Sequence, residues 1–341
     1  MPDSTVPPKL GVTLAQHLTH QQKLIRATGE FSTIITQISL AAKLIARALS
    51  QAGLYDKGGY AESPHVPGDR KQRLDVYANE TFIRVFSNSP GVATIVSENM
   101  KDPVHLHSRS QGGKYIVCVD PLDSSNLEIN GVVGSIFSVL RRVESGEQAT
   151  EKDLLQKGTE QVAAGYVMYG PSTVLVYTSG NGVNAYTLDS GIGEFLISRE
   201  NIHIPERGLT YACNEAHYHD WHDETRRFIE HLRKIDAKSE KHYSTRYVGS
   251  LIADFHRTLL GGGVYLYPPD NSSPITGGGK RRLMYECNPL AYVCEQAGGR
   301  ASNGDERILK IQPTSLHQRC PLIIGSPYEV LLYEDFVAGK R

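Results

Sequence analysis

The chain has 341 residues, of which 40% are hydrophobic, and a formal net charge of −1 at neutral pH. This length allows two domains or one large layered domain, and the balanced charge excludes a broad basic surface for nucleic acid. No apolar run approaches the length of a membrane-spanning helix, and the polar, proline-rich start is not a secretory signal. The five cysteines form no C-x-x-C pair, which predicts reduced core thiols in the cytoplasm, with a peroxisome-like organelle left open.

In the first half of the chain, hydrophobic periodicity predicts helices at 12–27, 31–49 and 72–88. The segment 53–70 is rich in Gly, Pro and Asp, and we expect it to be a long mobile loop, of a length that often serves function. Short β-branched runs predict strands at 92–96, 115–119, 132–141, 161–169, 173–178 and 183–188.

The second half has the same mixed character. Strands are predicted before Asn214 and at 263–267, near 307–311 and at 321–325. Helices are predicted at 220–234, 250–260, 289–297 and at the C-terminus, with a glycine-rich loop at 276–279. The alternation of strands and helices predicts a layered α/β architecture in two halves, 1–200 and 201–341.

The stretch Asp120–Asn126 directly follows the predicted buried strand 115–119. An open α/β sheet usually places its ligand at such a strand end. Asp120 and Asp123 flank a turn stiffened by Pro121, and two hydroxyls and an amide follow. Oxygen donors of this kind favour Mg²⁺ or Mn²⁺, and the backbone N–H groups of small residues suit a phosphate. The alternative is an Asp-rich turn that binds no metal.

Further carboxylates fall at the ends or starts of predicted elements. Glu98 follows the strand 92–96, Glu286 precedes the helix 289–297, and Asp75 lies at the start of the helix 72–88. Two or three divalent ions held by such groups would polarise a phosphoryl oxygen, stabilise a leaving alkoxide and activate water.

Cationic and aromatic residues in the second half suit a phosphorylated ligand. Lys280, Arg281 and Arg282 follow three glycines, and Tyr247, Tyr265 and Tyr267 lie in apolar surroundings. A solvated basic loop and half-buried sheet tyrosines are the alternatives.

A second group of residues lies in the first half. Thr28-Gly29-Glu30 opens a helix, where free N–H groups either form a plain cap or seat a phosphate. Lys114, Tyr115 and Arg141 flank strands in the same half, so a second anion site is possible there.

Six segments carry a resemblance to a known family that runs from about residue 10 to residue 335. They are Ala27–Glu30, Lys114–Asp123, Val162–Tyr166, Arg246–Ser250, Tyr285–Pro289 and Leu316–Arg319. With these motifs the chain resembles class I fructose-1,6-bisphosphatases.

The resemblance implies a five-layer αβαβα sandwich of the metal-dependent sugar-phosphatase superfamily, with an N-terminal allosteric half and a C-terminal sugar-phosphate half. It implies hydrolysis of the 1-phosphate of fructose 1,6-bisphosphate in gluconeogenesis, with Mg²⁺ or Mn²⁺ ions, two to three per subunit. It also implies a homotetramer inhibited by AMP, and no nucleic-acid or membrane partner. AMP would act by disengaging the loop 53–70 from the metals.

The resemblance also assigns roles to residues of this chain. The implied metal ligands are Glu98, Asp120, Asp123, Glu286 and the carbonyl of Leu122, while Asp69, Asp75 and Glu98 would move protons or engage the loop. The implied substrate-binding residues are Ser124, Ser125, Asn214, Tyr218, Arg246, Tyr247, Gly249, Leu251, Tyr267, Lys280 and Arg282, with Arg246 reaching into a neighbouring subunit. The implied AMP-binding residues are Thr28, Gly29, Glu30, Phe31, Ser32, Lys114, Tyr115 and Arg141.

Three positions depart from the family pattern. The family has a glycine between Asp123 and Ser124, which this chain lacks, so a phosphate-binding group is expected to shift by up to ~3–4 Å. Asn99 stands where the family has a second glutamate, which removes a negative ligand and a possible base. His217 stands where some members have a phosphate-binding tyrosine, and Tyr218 is expected to substitute for it.

The first two departures favour an alternative function. In it, the chain is a catalytically impaired paralogue that binds sugar phosphate and AMP as a regulatory protein. A weaker alternative is another member of the superfamily, such as a sedoheptulose bisphosphatase.

Overall fold

Two β-sheets organise the chain, and helices cover their faces. The structure is a computed structural model that describes residues 11–25, 29–52, 60–62, 70–123, 131–236, 241–271 and 279–341. The helices are α1 (Leu14–Ile25), α2 (Glu30–Ser50), α3 (Arg73–Ser87), α4 (Glu151–Leu154), α5 (Asp223–Arg233), α6 (Leu251–Gly261), α7 (Asn288–Gln296) and α8 (Pro327–Val337).

The larger sheet has eight strands in the order β10-β9-β8-β7-β6-β5-β3-β4. Their bounds are β3 (Val92–Ser97), β4 (Val104–His105), β5 (Tyr115–Asp123), β6 (Val133–Arg141), β7 (Gln161–Tyr169), β8 (Val174–Thr178), β9 (Asn184–Asp189) and β10 (Glu194–Arg199). All neighbouring strands run antiparallel except β3 and β5, which are parallel.

The smaller sheet has five strands in the order β14-β11-β15-β19-β17. Their bounds are β11 (Thr210–Ala212), β14 (Ser244–Thr245), β15 (Val264–Tyr267), β17 (Arg300–Ser302) and β19 (Leu322–Gly325). Three two-stranded ribbons complete the described strands: β1 (Tyr60–Glu62) with β2 (Arg70–Gln72), β12 (Ile235–Asp236) with β13 (Lys241–His242), and β16 (Arg281–Arg282) with β18 (Arg319–Cys320).

The described buried residues form four hydrophobic cores, of which the three largest lie between the helix and sheet layers. On one side of the large sheet, α1, α2 and α3 pack against the strands in a core that includes Ile38, Phe82, Val117 and Phe137. Between the sheets, α6 and α7 bury residues against both, and their core includes side chains from β7 and β15. On the far side of the small sheet, α5 and α8 form the third core. The layers therefore alternate helix, sheet, helix, sheet, helix.

The large sheet is covered on both faces, and its strand sequences reflect this. Along β6, Ile136 belongs to the core between the sheets, whereas the next residue, Phe137, belongs to the core under α1–α3. Successive side chains of a strand point to opposite faces. Since both faces are buried, apolar residues occur on both faces of the strand, and the polar residues buried among them are the small Ser135 and Ser138.

Most predicted elements are confirmed within a few residues, but some expectations are wrong. The segment near 307–311 is a 3₁₀ turn at Ile308–Lys310 rather than a strand. Ile308 and Leu309 are buried there in the core between the sheets, so the apolar run reflects burial and not an extended backbone. Strand β1 and the first residue of β2, Arg70, fall within the expected loop 53–70, while 53–59 and 63–69 lie outside the described residues.

Helix α2 differs from the expectation that no segment is long enough to cross a membrane. Its 21 residues are long and apolar enough to do so by length and composition. Its buried residues include Ile34, Ile35, Ile38 and Ala42, which pack in the core beneath the large sheet. In this fold α2 is a core helix.

Candidate active site

A β-bulge in β5 brings two carboxylates to one point. Asp120 pairs with Ile136 and Asp123 pairs with Gly134, so three steps along β5 face two steps along β6. In a regular strand, residues three apart point to opposite faces, and one extra residue in a bulge corrects this. The hydroxyl of Ser135 donates a 2.6 Å hydrogen bond to the carbonyl of Pro121 and holds the bulge.

Glu286 completes the acidic group from another part of the chain. It lies in a π-helical turn, Leu283–Cys287, that leads into α7, and such turns are frequent at functional sites. One carboxylate oxygen from each of Asp120, Asp123 and Glu286 lies within 4.8 Å of the other two. We call these three residues the acidic pocket.

The electrostatics of the pocket are unfavourable to three bare carboxylates. Burial, followed by the charges of Glu98, Asp123, Glu286 and Asp75, raises the pKa of Asp120 well above its usual value. Burial raises the pKa of Asp123 to about 6, although the guanidinium of Arg281 opposes the shift. The pKa of Glu286 is also raised by burial. A bound cation would relieve this mutual repulsion.

The donor atoms of the pocket fit a divalent ion. All three side chains offer oxygen, which Mg²⁺ and Mn²⁺ prefer. In addition, Oδ2 of Asp123 is buried and has no hydrogen-bond partner among the described residues. A buried carboxylate oxygen with no donor is costly, and coordination to a metal would satisfy it.

The other residues assigned to metal binding and proton transfer lie around the pocket. Glu98 follows β3, donates its backbone N–H to the carbonyl of Val119, and is not part of the three-carboxylate group. Its Oε1 lies 3.6 Å from Nε of Arg282. Asp75 is buried in the first turn of α3, and Leu122 is buried in the bulge of β5. Asp69, Ser124 and Ser125 lie outside the described residues.

Arg281 is a pocket residue that the sequence pattern did not single out from its basic neighbours. Its Nη1 lies 2.8 Å from Oε1 of Glu286 and 3.8 Å from Oδ1 of Asp123. Its Nη2 donates to the hydroxyl of Tyr265 at 3.1 Å, and the guanidinium lies 4.5 Å from the centre of the Tyr267 ring. The only sequence signal is that neighbours in a strand face opposite ways, which separates Arg281 from Arg282.

Arg281 thereby connects the acidic pocket to Tyr265 and Tyr267. Tyr267 is one of the tyrosines assigned to substrate binding, and Tyr247 is another. Tyr247 and Tyr267 are both half-buried against the core between the sheets. Burial, followed by the proximity of Tyr267, raises the pKa of Tyr247 to about 12. The Tyr247 hydroxyl therefore stays protonated near neutral pH, and a tyrosine hydroxyl in either position is a hydrogen-bond donor for an anion.

The remaining residues assigned to substrate binding are held by local contacts. Nζ of Lys280 lies 3.0 Å from the buried Asp270, and Tyr218 donates to Glu230 at 2.6 Å. Arg282 donates to the carbonyl of His317. Asn214 caps a 3₁₀ turn, and Leu251 begins α6. Gly249 has a φ of +88° and donates its N–H to Asp254. Arg246 is exposed.

The second predicted anion site is partly assembled at the start of α2. Gly29 is the N-cap in the left-handed region, with a φ of +87°. The next residue, Glu30, forms a 2.6 Å ion pair with Lys114. Tyr115 and Arg141 are cross-strand partners in β5 and β6. Phe31 and Ser32 are half-buried in the first turn of α2, and Thr28 lies outside the described residues.

Fold and pocket together define a layered α/β protein with an oxygen-donor pocket beside cationic and tyrosine side chains. The N-terminal domain model of fructose-1,6-bisphosphatase matches residues 12–200, and the C-terminal domain model matches residues 204–338. The chain therefore belongs to the class 1 fructose-1,6-bisphosphatase family, whose members are phosphoric monoester hydrolases.

Individual relatives support this assignment. The chain is 46% identical to the class 1 fructose-1,6-bisphosphatase of Chlorobium chlorochromatii, over 97% of this chain and 99% of the relative. It is 48% identical to that of Chloroherpeton thalassium, over 97% and 94%. The crystal structure of Leishmania major fructose-1,6-bisphosphatase in holo form superposes with a TM-score of 0.88 at 36% identity, covering 97% and 99% of the two chains. This similarity confirms the expected sandwich fold.

Proposed function

We propose that this chain hydrolyses the 1-phosphate of fructose 1,6-bisphosphate to fructose 6-phosphate and phosphate, in gluconeogenesis, with Mg²⁺ or Mn²⁺. The observation that carries the metal dependence is the acidic pocket, whose three carboxylates approach within 4.8 Å of one another. So many buried negative charges are costly unless a cation accompanies them. The adjoining arginines and tyrosines suit a substrate with two phosphate groups.

Each part of the site has a distinct chemical role in this proposal. Bound divalent ions, two to three per subunit, would supply a Lewis acid for the phosphoryl oxygen and lower the pKa of the attacking water. Asp120, Asp123, Glu286 and Glu98 would hold those ions, with the Leu122 carbonyl. Asp75 and Glu98 would accept the proton of the water, and Glu98 is open enough to solvent to pass it on.

At the other end of the substrate, Tyr247 and Tyr267 would donate hydrogen bonds to the 6-phosphate. Arg281 supports this arrangement, because its guanidinium stacks on Tyr267 and keeps that ring beside the pocket. Asn214, Tyr218, Arg246, Lys280 and Arg282 are proposed to complete the sugar-phosphate contacts, with Ser124 and Ser125 at the 1-phosphate. Arg246 is exposed, as a residue reaching toward a neighbouring subunit would be.

The test is phosphate release from fructose 1,6-bisphosphate by the purified protein, with Mg²⁺, with Mn²⁺ and with EDTA. We expect release that requires the metal and leaves fructose 6-phosphate. Metal-independent release would contradict the proposed metal role, and no release at any metal concentration would contradict the activity. Sedoheptulose 1,7-bisphosphate as a parallel substrate tests the other superfamily activity.

A second candidate function rests on Asn99 and the missing glycine after Asp123. Asn99 is buried, and its backbone N–H donates to Ser97, whose hydroxyl in turn bonds Asn79. An amide at this position offers no charge to a metal and no base to water. In this alternative the chain binds sugar phosphate and AMP without efficient turnover.

Two variants separate the alternatives. Asn99→Glu restores the carboxylate, and insertion of a glycine after Asp123 restores the turn. If the unmodified chain is already active and the variants change its turnover little, the regulatory alternative is excluded. If activity appears only in the variants, the unmodified chain is impaired.

We also propose that AMP inhibits the protein by binding at the start of α2. We further propose that the protein is a homotetramer in the cytoplasm, and that its allosteric and sugar-phosphate-binding halves meet near residue 200. The ion pair of Glu30 with Lys114 supports an AMP site, because it joins the N-terminus of α2 to the start of β5. The five buried, unpaired cysteines suit a reducing compartment.

AMP titration of the activity in wild type and Lys114→Met tests the site, and we expect weaker inhibition in the variant. Unchanged inhibition would place AMP elsewhere. Light scattering gives the number of subunits, and a monomer would contradict the tetramer.

A further inference from the structure

The guanidinium of Arg281 lies beside carboxylates of the acidic pocket, whereas the guanidinium of the next residue does not. It is on the ribbon strand β16, opposite Cys320 of β18. Its side chain is 15% exposed, and its two Nη atoms reach Glu286 and Tyr265. The next residue, Arg282, lies instead beside Glu98 and the carbonyl of His317. The backbone N–H of Arg282 also donates to Glu286, but its guanidinium pairs with Glu98 instead. Of these two described guanidinium groups, that of Arg281 is the one paired with carboxylates of the acidic pocket.

The position of Arg281 matters because the carboxylates of the acidic pocket have few positively charged neighbours. Asp120, Asp123 and Glu286 carry three formal negative charges when ionised. The guanidinium is the one cation that the described residues place within ion-pair distance of two of them. Its charge leaves two uncompensated, which is what one divalent ion balances. An arginine guanidinium is always protonated in proteins, so this positive charge is permanent.

The guanidinium is not fully fixed by the protein. Nη1 bonds Glu286 and Nη2 bonds Tyr265, but the buried Nε has no acceptor among the described side chains and backbone groups. An arginine has five N–H donors, and an arginine locked by structure alone normally uses most of them. The side chain can therefore change its partners when another cation enters the pocket.

We infer that Arg281 is a resident cation of the acidic pocket, which balances one of its three negative charges and competes with metal for Glu286 and Asp123. The inference rests on the proposed metal site but not on turnover. It predicts that this chain binds its metal more weakly than the carboxylates alone would, and that the bound metal shifts Arg281 away from Glu286. Arg281 is in this sense a positioning residue that sets metal affinity.

The test is direct Mn²⁺ binding to the full-length protein, followed by electron paramagnetic resonance of the free ion. Arg281→Met removes the charge at similar length, and we expect Mn²⁺ to bind at least tenfold more tightly, which is about 1.4 kcal/mol. Arg281→Lys keeps the charge and is expected to bind Mn²⁺ within about threefold of wild type. Arg281→Gln, which keeps a donor for Tyr265, replaces the Met variant if that variant does not fold.

Arg319→Met is the matched control. Arg319 is on the partner strand of the same ribbon and is exposed, so the variant has the same change in net charge outside the pocket. Its Mn²⁺ affinity should stay within about twofold of wild type. The inference is overturned if the neutral Arg281 variants bind Mn²⁺ no more tightly than wild type, or if the Lys variant binds as tightly as the neutral ones. Because the readout is binding, an inactive protein with these affinities would contradict the proposed activity and leave the inference standing.

Discussion

At the residue scale, the carboxylates of the acidic pocket destabilise the metal-free fold and at the same time allow it to bind metal. Asp120 is 2% exposed and lies in the field of four other carboxylates. An ionised carboxylate in that position costs free energy in the absence of a cation. The same charges attract a divalent ion. Asp120 therefore has opposite effects on the metal-free and metal-bound proteins.

This argument predicts that Asp120→Asn stabilises the metal-free protein by about 1–3 kcal/mol. The amide keeps the size of the side chain but removes its charge. In Mn²⁺ the order reverses, because wild type gains binding free energy that the variant lacks. Chemical denaturation in EDTA and in Mn²⁺ measures both effects, and Asp102→Asn, an exposed carboxylate, is the control. A variant that is less stable than wild type in EDTA would contradict the argument.

Glu329 is a buried carboxylate outside the acidic pocket. It lies in the first turn of α8, is fully buried, and accepts a 2.8 Å hydrogen bond from Tyr243 and longer bonds from the N–H of Gly208. Burial raises its pKa from 4.5 to about 7. The folded protein thus holds this proton more tightly than the unfolded chain does.

Stability should therefore depend on pH through Glu329. Its contribution is complete below about pH 4.5 and is lost as the pH rises through about 7. Over that range, wild type should lose up to about 3 kcal/mol of unfolding free energy relative to Glu329→Gln, which cannot titrate. Urea denaturation of both proteins at several pH values measures the difference. A difference that does not change with pH would show that Glu329 has an ordinary pKa.

At the element scale, the N-terminus of α6 lies against the bulge that holds Asp123. The backbone N–H groups of Leu251 and Ile252 lower the pKa of Asp123, against the larger effect of burial. This close approach requires Gly134 in β6, opposite Asp123. A Cβ atom at Gly134 would lie 2.5 Å from Cγ1 of Ile252. The absence of a side chain at one strand position thus allows a helix to support a pocket residue.

Gly134→Ala should consequently destabilise the protein by about 1–3 kcal/mol, because a buried clash must be relieved by moving α6 or β6. It should also weaken Mn²⁺ binding, since the amides beside Asp123 shift with α6. Thermal unfolding and Mn²⁺ titration measure the two effects. Gly146→Ala is the control, because its added Cβ would be no closer than 3.7 Å to any neighbour. Equal stability of the two variants would mean that α6 adjusts without cost.

The elements themselves were largely predictable, because their signals are local. The run 161–169 is bounded by polar residues and forms β7 over the same residues. The helix predicted at 250–260 begins one residue later, after Ser250 accepts a hydrogen bond from the N–H of Ala253. The segment near 307–311 was not predictable, because a short apolar run is equally apolar in a buried 3₁₀ turn and in a strand.

The pocket was predictable only in part, for a related reason. Asp120 and Asp123 are close in sequence to a strand end, so their proximity follows from local pattern. The bulge that aligns them depends on the register of β5 with β6, which no single strand encodes. The contact of Arg281 with Tyr265 crosses from a ribbon to the smaller sheet. Only the tertiary structure distinguishes Arg281 from the basic residues beside it.

At the scale of the whole molecule, the middle helix layer belongs to both sheets. Its core contains Tyr166 from the large sheet and Tyr265 from the small one, together with Phe255 of α6 and Leu290 of α7. Both helices come from the second half of the chain, yet they cover a face of the sheet formed by the first half. A sheet with an uncovered apolar face is neither stable nor soluble on its own. The halves are therefore coupled in folding.

A fragment that ends at residue 203 should consequently fail to unfold cooperatively, although it contains all eight strands of the large sheet. Without α6 and α7, Ile136, Ala164, Tyr166 and Val176 lose the core that buries them, so the fragment should bind a hydrophobic dye and aggregate. The full chain should instead show one transition. Denaturation followed by circular dichroism and by tryptophan fluorescence distinguishes these cases for the full chain, because Trp221 lies in the second half. Two separate transitions in the full chain, or a cooperative transition in the fragment, would show that the large sheet folds without the middle layer.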